Sequence, residues 1–195
     1  MYLYLVRHGQ SEGNVLRTFH GQTDYPLTEL GRQQARQAAE KLRDVSFTRC
    51  CASDLSRAWN TALPCLEGRN VAPEACPALR EQDVGAMEGL TWEQMEERFP
   101  HLLHPYIEDW FRVTPPGGES PDQMAARVGA CVDDIVRRGE DTLIVGHNGS
   151  LSLILLHLGL VSREQALTRD WFFGQGTYTA LRVEGEKAEL IGFNV

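Results

Sequence analysis

The chain has 195 residues, with 19 Lys plus Arg against 27 Asp plus Glu and a formal charge of −8 at neutral pH. Its length suits one domain with a full core, and 42% hydrophobic with 24% charged residues excludes a disordered chain. The acidic balance argues against nucleic acid or an anionic membrane as partner, and no apolar run reaches the roughly 18 residues of a membrane span.

In chain order, residues 2–6 are the first strand candidate, apolar and aromatic. They run straight into Arg7, without the basic region or length of a signal peptide. Leu27, Gly31, Ala35, Ala38 and Leu42 then step by three and four, which predicts a helix with one apolar face. Residues 48–52 form a second strand candidate, and Ser53-Asp54 reads as the start of another helix. Thr91-Trp92-Glu93-Gln94 has the pattern of a capping box. A Pro-Gly stretch at residues 114–119 breaks the pattern between two helical segments. Ser120-Pro121-Asp122-Gln123 is a second capping box with Pro at the first helical position. It opens a stripe of Met124, Val128, Cys131, Val132, Ile135 and Val136. Residues 142–146 are the clearest strand, and Gly149-Ser150 opens the apolar run that follows. Ser162-Arg163-Glu164-Gln165 is a third capping box. Residues 178–183 and 188–193 predict a closing hairpin. Five cysteines (Cys50, Cys51, Cys65, Cys76 and Cys131), odd in number and without a C-x-x-C pair, are expected as buried thiols of a reducing, cytoplasmic compartment.

Strands alternating with helices predict an α/β fold, a mostly parallel sheet covered on both faces. Ligands of such sheets bind beyond the carboxyl ends of the strands. The first strand ends in Arg7-His8-Gly9, the second at Ser53 with Arg57 just beyond, and the third in His147-Asn148-Gly149. Two arginines and two histidines thus converge in a locally positive crevice. Arginine offers a planar fork of donors matched to phosphate oxygens, and helix N-termini add N–H groups. Asn14 supplies a neutral donor. An unprotonated imidazole in this setting is a competent nucleophile. No Walker A loop is present, and no third ligand stands at zinc-site spacing. An acid for the leaving oxygen is expected in residues 79–89, where Glu81, Asp83 and Glu88 remain equal candidates by chemistry alone.

These residues carry a resemblance. Leu5-Val6-Arg7-His8-Gly9-Gln10-Ser11-Glu12-Gly13-Asn14 is similar to the signature of the histidine phosphatase superfamily, in its phosphoglycerate mutase-like branch. The likeness continues in order through His20-Gly21-Gln22, Asp24-Tyr25-Pro26-Leu27, Ser53-Asp54-Leu55-Ser56-Arg57-Ala58, Leu79-Arg80-Glu81 and Val145-Gly146-His147-Asn148-Gly149. The resemblance implies a three-layer α/β/α sandwich over residues 1–195, with residues 86–120 covering the active site. It makes His8 the phosphoryl acceptor and Glu81 the proton donor, with Arg7, Arg57 and His147 holding the phosphate. Asn14 and the backbone N–H of Asn148 assist, and His20, Gly21 and Gln22 are candidate substrate contacts. It implies no metal and no cofactor.

The implied activity is hydrolysis of a small phosphorylated metabolite: a sugar phosphate, a phosphoglycerate or α-ribazole phosphate. The mutases of the family are usually longer and carry Trp where this chain has Gly13, and Gly-Trp in place of Gly21-Gln22. The short phosphatases fit better. A cofactor-dependent mutase is the first alternative, and a silent phospho-ligand binding module the second. Monomer and homodimer both remain open.

Overall fold

The computed structural model describes residues 1–195 and contains six strands: β1 (Tyr2–Arg7), β2 (Arg49–Ala52), β3 (Pro73–Ala75), β4 (Thr142–Gly146), β5 (Thr179–Glu184) and β6 (Lys187–Gly192). They form one sheet in the order β3-β2-β4-β1-β5-β6. The first four strands run parallel, and β5 and β6 close one edge as an antiparallel hairpin. The helices are α1 (Glu12–Leu16), α2 (Glu29–Lys41), α3 (Ser56–Leu66), α4 (Trp92–Arg98), α5 (Pro100–Glu108), α6 (Pro121–Arg138), α7 (Asn148–His157) and α8 (Arg163–Ala166).

The two-residue period of a strand splits the core into two layers. Leu3, Leu5, Cys51 and Ile144 face α6 and α7, where they meet Met124, Val128, Val132, Leu151 and Ile154. Val6, Cys50, Ala52, Leu143 and Val145 face α2 and α3, where they meet Ala38, Leu42, Ala58 and Ala62. This is the expected three-layer α/β/α sandwich. All five residues read as the apolar face of α2 are buried. In the α6 stripe Met124, Val128, Val132 and Ile135 are buried, while Cys131 and Val136 are half-buried. The three capping boxes form at Thr91, Ser120 and Ser162, each fixing a helix start by about 1 kcal/mol.

Beyond one-residue shifts at strand ends, two helix starts and one short strand differ from expectation. Helix α3 starts at Ser56, not at Ser53-Asp54. The Ser53 hydroxyl lies against His147 and the Asp54 carboxylate receives Arg80, so the cap comes from Asp24, whose Oδ1 accepts the Ser56 N–H and hydroxyl at 2.8 Å each. Strand β3 is three residues long and begins with Pro73, a weak pattern typical of a sheet edge. Helix α7 begins one residue early, at Asn148. All five cysteines are unpaired; Cys50, Cys51 and Cys65 are buried.

Residues 86–120 include a small apolar cluster separate from the two sheet layers. Met87, Leu90, Met95 and Leu103 are buried in it with Val84, against Phe19, Phe99 and Tyr106. Main-chain bonds from Phe19 N to Leu90 O (2.9 Å) and from Gly89 N to Phe19 O (2.7 Å) tie this segment to the loop after β1.

Candidate active site

The sheet order places β4 between β2 and β1, so the three chemistry-bearing strand ends are neighbours. Register sets them level: Arg7 is opposite Gly146, and Ala52 opposite Val145. The ladder continues one residue further, with His8 N donating to Gly146 O at 3.0 Å and Ser53 N to Val145 O at 2.9 Å. His8, His147 and Ser53 therefore stand side by side. The two imidazole centroids are 5.1 Å apart, and Ser53 Oγ lies 2.9 Å from His147 Nε2.

The arginines are held by main-chain carbonyls, with no carboxylate partner. Arg57 is fully buried and donates to Thr23 O at 2.9 Å and Gly21 O at 2.7 Å. Arg7 donates to Phe173 O at 3.0 Å. Arg57 does not pair with Asp54, whose carboxylate belongs to Arg80. Arg7 Nε, Arg57 Nε and His147 Nδ1 are buried without a hydrogen-bond partner. Buried unpaired cations are costly, and an anion held among them relieves that cost.

The imidazoles are neutral. His8 Nδ1 is 2.7 Å from Gly9 O, and a carbonyl only accepts, so Nδ1 carries the proton and Nε2 keeps its lone pair. Burial first, then Arg7 and Arg57, pushes the His8 pKa well below 6.5. Burial, then Arg57 and His8, does the same to His147. Burial also lowers both guanidinium pKa values, with Glu81 opposing.

The three acids left open by chemistry have different partners. Asp83 accepts from Gly85 N within its own turn, at 2.8 Å. Glu88 accepts from the backbone N–H groups of Gly21, Gln22 and Thr23 at 3.1, 2.7 and 3.1 Å, and from the Thr23 hydroxyl at 2.6 Å. It fixes the loop whose carbonyls grip Arg57. Glu81 alone reaches the start of α7, where its Oε2 accepts from Gly149 N at 3.0 Å. A Cβ at residue 149 would lie 2.2 Å from Glu81 Oε1, so only glycine admits the carboxylate there.

The remaining candidates divide. Asn14 Nδ2 faces His20 Nε2 at 3.4 Å, while its Oδ1 accepts from Ser11 N at 3.0 Å. His20 donates Nδ1–H to Thr18 O at 2.7 Å and stands edge-on to Tyr25. Gly21 acts through its backbone: a Cβ there would lie 1.7 Å from Gln82 O. The Gln22 side chain is held between Glu81 O (3.4 Å) and Arg80 Nη1 (3.2 Å), which leaves it a framing role. Asn148 receives Phe173 N on its side chain at 3.0 Å.

Beside this cluster lies a cleft of about 360 Å³. Glu81, Asn148 and Gly149 form one end, and Phe19, Trp92, Tyr106, Trp110 and Phe172 line its walls. Trp92 and Trp110 both line the cleft, whereas Trp171 packs on Phe193. His157, in α7, pairs with Asp133 at 2.7 Å.

Sequence reasoning missed the contact of Ser53 with His147, the Glu88 staple and the Phe19, Trp92, Tyr106 and Phe172 walls. Thr61, which with Ala62 continues the likeness to the family after Arg57-Ala58, accepts from Gly9 N on its hydroxyl at 3.0 Å. No three His, Cys, Asp or Glu side chains are grouped to hold a metal ion.

Residues 3–195 match the model of the histidine phosphatase superfamily, branch 1. A 2,3-bisphosphoglycerate-dependent phosphoglycerate mutase of Nitrobacter winogradskyi is 36% identical, over 97% of this chain and 96% of its own length. An adenosylcobalamin/alpha-ribazole phosphatase of Salmonella typhimurium is 34% identical over 81% and 79%. The solved alpha-ribazole phosphatase of Shigella flexneri superimposes with a TM-score of 0.90 at 29% identity, over 100% of this chain and 96% of that one. Mycobacterial relatives at 36% identity are longer, and the match spans 41% of their length. Length therefore does not separate relatives named mutase from those named phosphatase, contrary to expectation.

Proposed function

Because the chain belongs to the histidine phosphatase superfamily, we propose that it hydrolyses small phosphomonoesters through a phosphohistidine at His8. The observation that carries this reading is the buried set of unpartnered donors, Arg7 Nε, Arg57 Nε and His147 Nδ1, around a neutral imidazole with a free Nε2.

Arg7, Arg57 and His147 hold the phosphoryl oxygens, with Asn14 and the backbone N–H of Asn148 assisting. The Ser53 hydroxyl donates to His147 Nε2, which keeps the proton on Nδ1, facing the phosphate. His8 Nε2 attacks phosphorus: the N–P bond forms, the ester P–O bond breaks, and Glu81 gives the leaving oxygen its proton. Water then attacks phosphorus on the phosphohistidine and Glu81 takes its proton, releasing phosphate and neutral His8. Guanidinium and imidazole groups supply the charge stabilisation, so turnover is expected to survive a chelator.

Residues 86–120 act as a cover that shields this chemistry from bulk water. Five unpaired cysteines suit a cytoplasmic setting. The partner is a small phosphorylated metabolite, with neither nucleic acid nor membrane involved.

Mutase chemistry is the second reading, favoured by the full-length likeness to the Nitrobacter protein. It shares the first step but returns the phosphoryl group to a phosphoglycerate.

The test is turnover and labelling with a ³²P-phosphomonoester. The wild-type protein should release phosphate and carry alkali-stable label on His8. His8→Ala should lose at least about a thousandfold in kcat, the scale of nucleophile removal. Label on another residue, or full activity in His8→Ala, would refute the proposal.

A further inference from the structure

We infer that Cys76 and Cys131 form a reversible disulfide with hydrogen peroxide as oxidant, and that its closure displaces the segment carrying Glu81. The dithiol lies outside the catalytic site. Its effect on turnover rests on the hydrolase reading above.

The two core layers divide the five thiols. Cys50 and Cys65 lie in the layer under α2 and α3. Burial pushes both up to about 12, so they stay protonated and inert. Cys51, Cys76 and Cys131 lie in the other layer, under α6. Cys51 is on β2 and Cys131 on α6, while Cys76 follows β3 and donates its N–H to Ala52 O at 2.7 Å. The Cys76 thiol is in hydrogen-bond contact with both of the others. Cys51 is fully buried, whereas Cys76 and Cys131 are half-buried and within reach of a small oxidant.

Register and helix period decide which pair can close. Cys51 is opposite Glu74 in the parallel ladder, and Cys76 stands two residues further along. That offset separates the two Cα atoms by about 8 Å, beyond the roughly 7 Å that a disulfide spans. Cys131 is one helical turn after Arg127, on the same face of α6. Arg127 Nη1 donates to Ala78 O at 2.7 Å, two residues past Cys76. Cys131 is thereby set against Cys76.

Electrostatics make Cys76 the attacking group. Arg49 alternates onto the same face of β2 as Cys51 and is only 7% exposed. It uses Nε and Nη2 on Glu74, and its Nη1 is buried without a partner. Hydrogen bonds from Cys131 and Cys51, with Arg49 adding to them, hold the Cys76 thiol below its ordinary range against burial and Glu74. The thiolate is the nucleophile. It attacks hydrogen peroxide: an S–O bond forms, the O–O bond breaks, and the departing hydroxide takes up the proton that the thiol had shed. The Cys131 sulfur then attacks the sulfenic sulfur of Cys76. The S–S bond forms, the S–O bond breaks, and the hydroxide leaves as water with the Cys131 proton. Two sulfurs are oxidised and one peroxide is reduced to two waters.

Closure acts on the acid. Sulfurs in hydrogen-bond contact must approach by more than about 1 Å to bond covalently. Helix α6 is anchored by Met124, Val128 and Val132, all fully buried, so half-buried residue 76 is the end that gives. Residues 77–81 follow it, and Arg127 holds them by the carbonyls of Ala78, Arg80 and Glu81. A shift of about 1 Å in a positioned group costs up to about a hundredfold in rate.

For the test, reduced protein is treated with hydrogen peroxide, digested with trypsin without reductant and mapped by mass spectrometry. Trypsin separates the thiols: residues 70–80 carry Cys76, 128–137 carry Cys131, and 50–57 carry Cys50 and Cys51. The expected product is 70–80 linked to 128–137, released by dithiothreitol. In the linked protein kcat on an alkyl phosphate should fall at least about tenfold, and on p-nitrophenyl phosphate only a few-fold, with full return on reduction. Cys131→Ser should form no link, leave a dimedone-reactive sulfenic acid at Cys76 and keep its alkyl-ester turnover. A link from 70–80 to 50–57, or no link at all, overturns the dithiol. A link that leaves alkyl-ester turnover unchanged overturns the coupling to Glu81. A link formed in a protein that hydrolyses neither ester when reduced would retain the dithiol and remove the hydrolase reading instead.

Discussion

At the ends of β1, β2 and β4, cations and imidazoles are buried and fixed by main-chain hydrogen bonds, whereas the cleft beside them is walled by half-exposed rings on short helices. In the first region sheet register places the two histidines, one residue past adjacent strand ends, while Arg57 comes in from α3 and is held by the 21–23 loop. In the second, Trp92, Tyr106 and Trp110 come from separate short elements, α4, α5 and the turn after α5. The difference assigns distinct work to each. On the proposed function, the rigid sheet end would place the phosphate, and the segment with its own small core would bear on the leaving alcohol.

Glu81 joins the two regions, and its removal should give the largest effect on their division of labour. Glu81→Gln is expected to cut kcat on an alkyl phosphate by about a hundredfold or more, and on p-nitrophenyl phosphate only a few-fold. Nitrophenolate leaves without a proton, so the contrast isolates the acid. Equal losses on both esters would move Glu81 out of that role and into phosphate placement.

Glu88 should matter to the phosphate region alone. Its carboxylate holds the 21–23 loop that grips Arg57. Glu88→Gln should raise KM and the inhibition constant for inorganic phosphate together, by about tenfold, and cost about 1–3 kcal/mol in stability. The ratio of kcat/KM between two phosphomonoesters that differ only in leaving alcohol should stay as in the wild type. A changed preference would show that the two regions are not separable.

The smallest expected effect is on stability with pH. His8 and His147 have pKa values below their unfolded 6.5, so the unfolded chain binds more protons. Their contribution is complete above pH 6.5 and is lost as pH falls towards the folded values. The phosphate-free protein should lose a few degrees of Tm from this source between about pH 6.5 and 5, and His147→Asn should flatten the slope. A slope unchanged in His147→Asn would mean that its imidazole is charged in the fold.

The same division explains what the sequence disclosed. Strand ends, capping boxes at Thr91, Ser120 and Ser162, and the face of α2 follow from local pattern, and the structure bears them out. Arg7, His8 and His147 were legible because parallel topology brings strand ends together, and Arg57 because it opens the helix after one of them. The start of α3 was misplaced because Asp24, distant in sequence, caps it. Glu81 and Glu88 could not be distinguished by chemistry, since their roles rest on contacts with Gly149 and with the 21–23 loop, both more than sixty residues away.

The central claim is a covalent phosphohistidine, and the stereochemical course at phosphorus tests it most directly. Hydrolysis of a phosphomonoester chiral in ¹⁶O and ¹⁷O, run in ¹⁸O-water with a thiophosphoryl group for configurational stability, reports whether one or two in-line displacements occur. Attack by His8 followed by attack by water gives net retention. Inversion would mean that water attacks the ester directly, and would contradict the assignment of His8 as the phosphoryl acceptor.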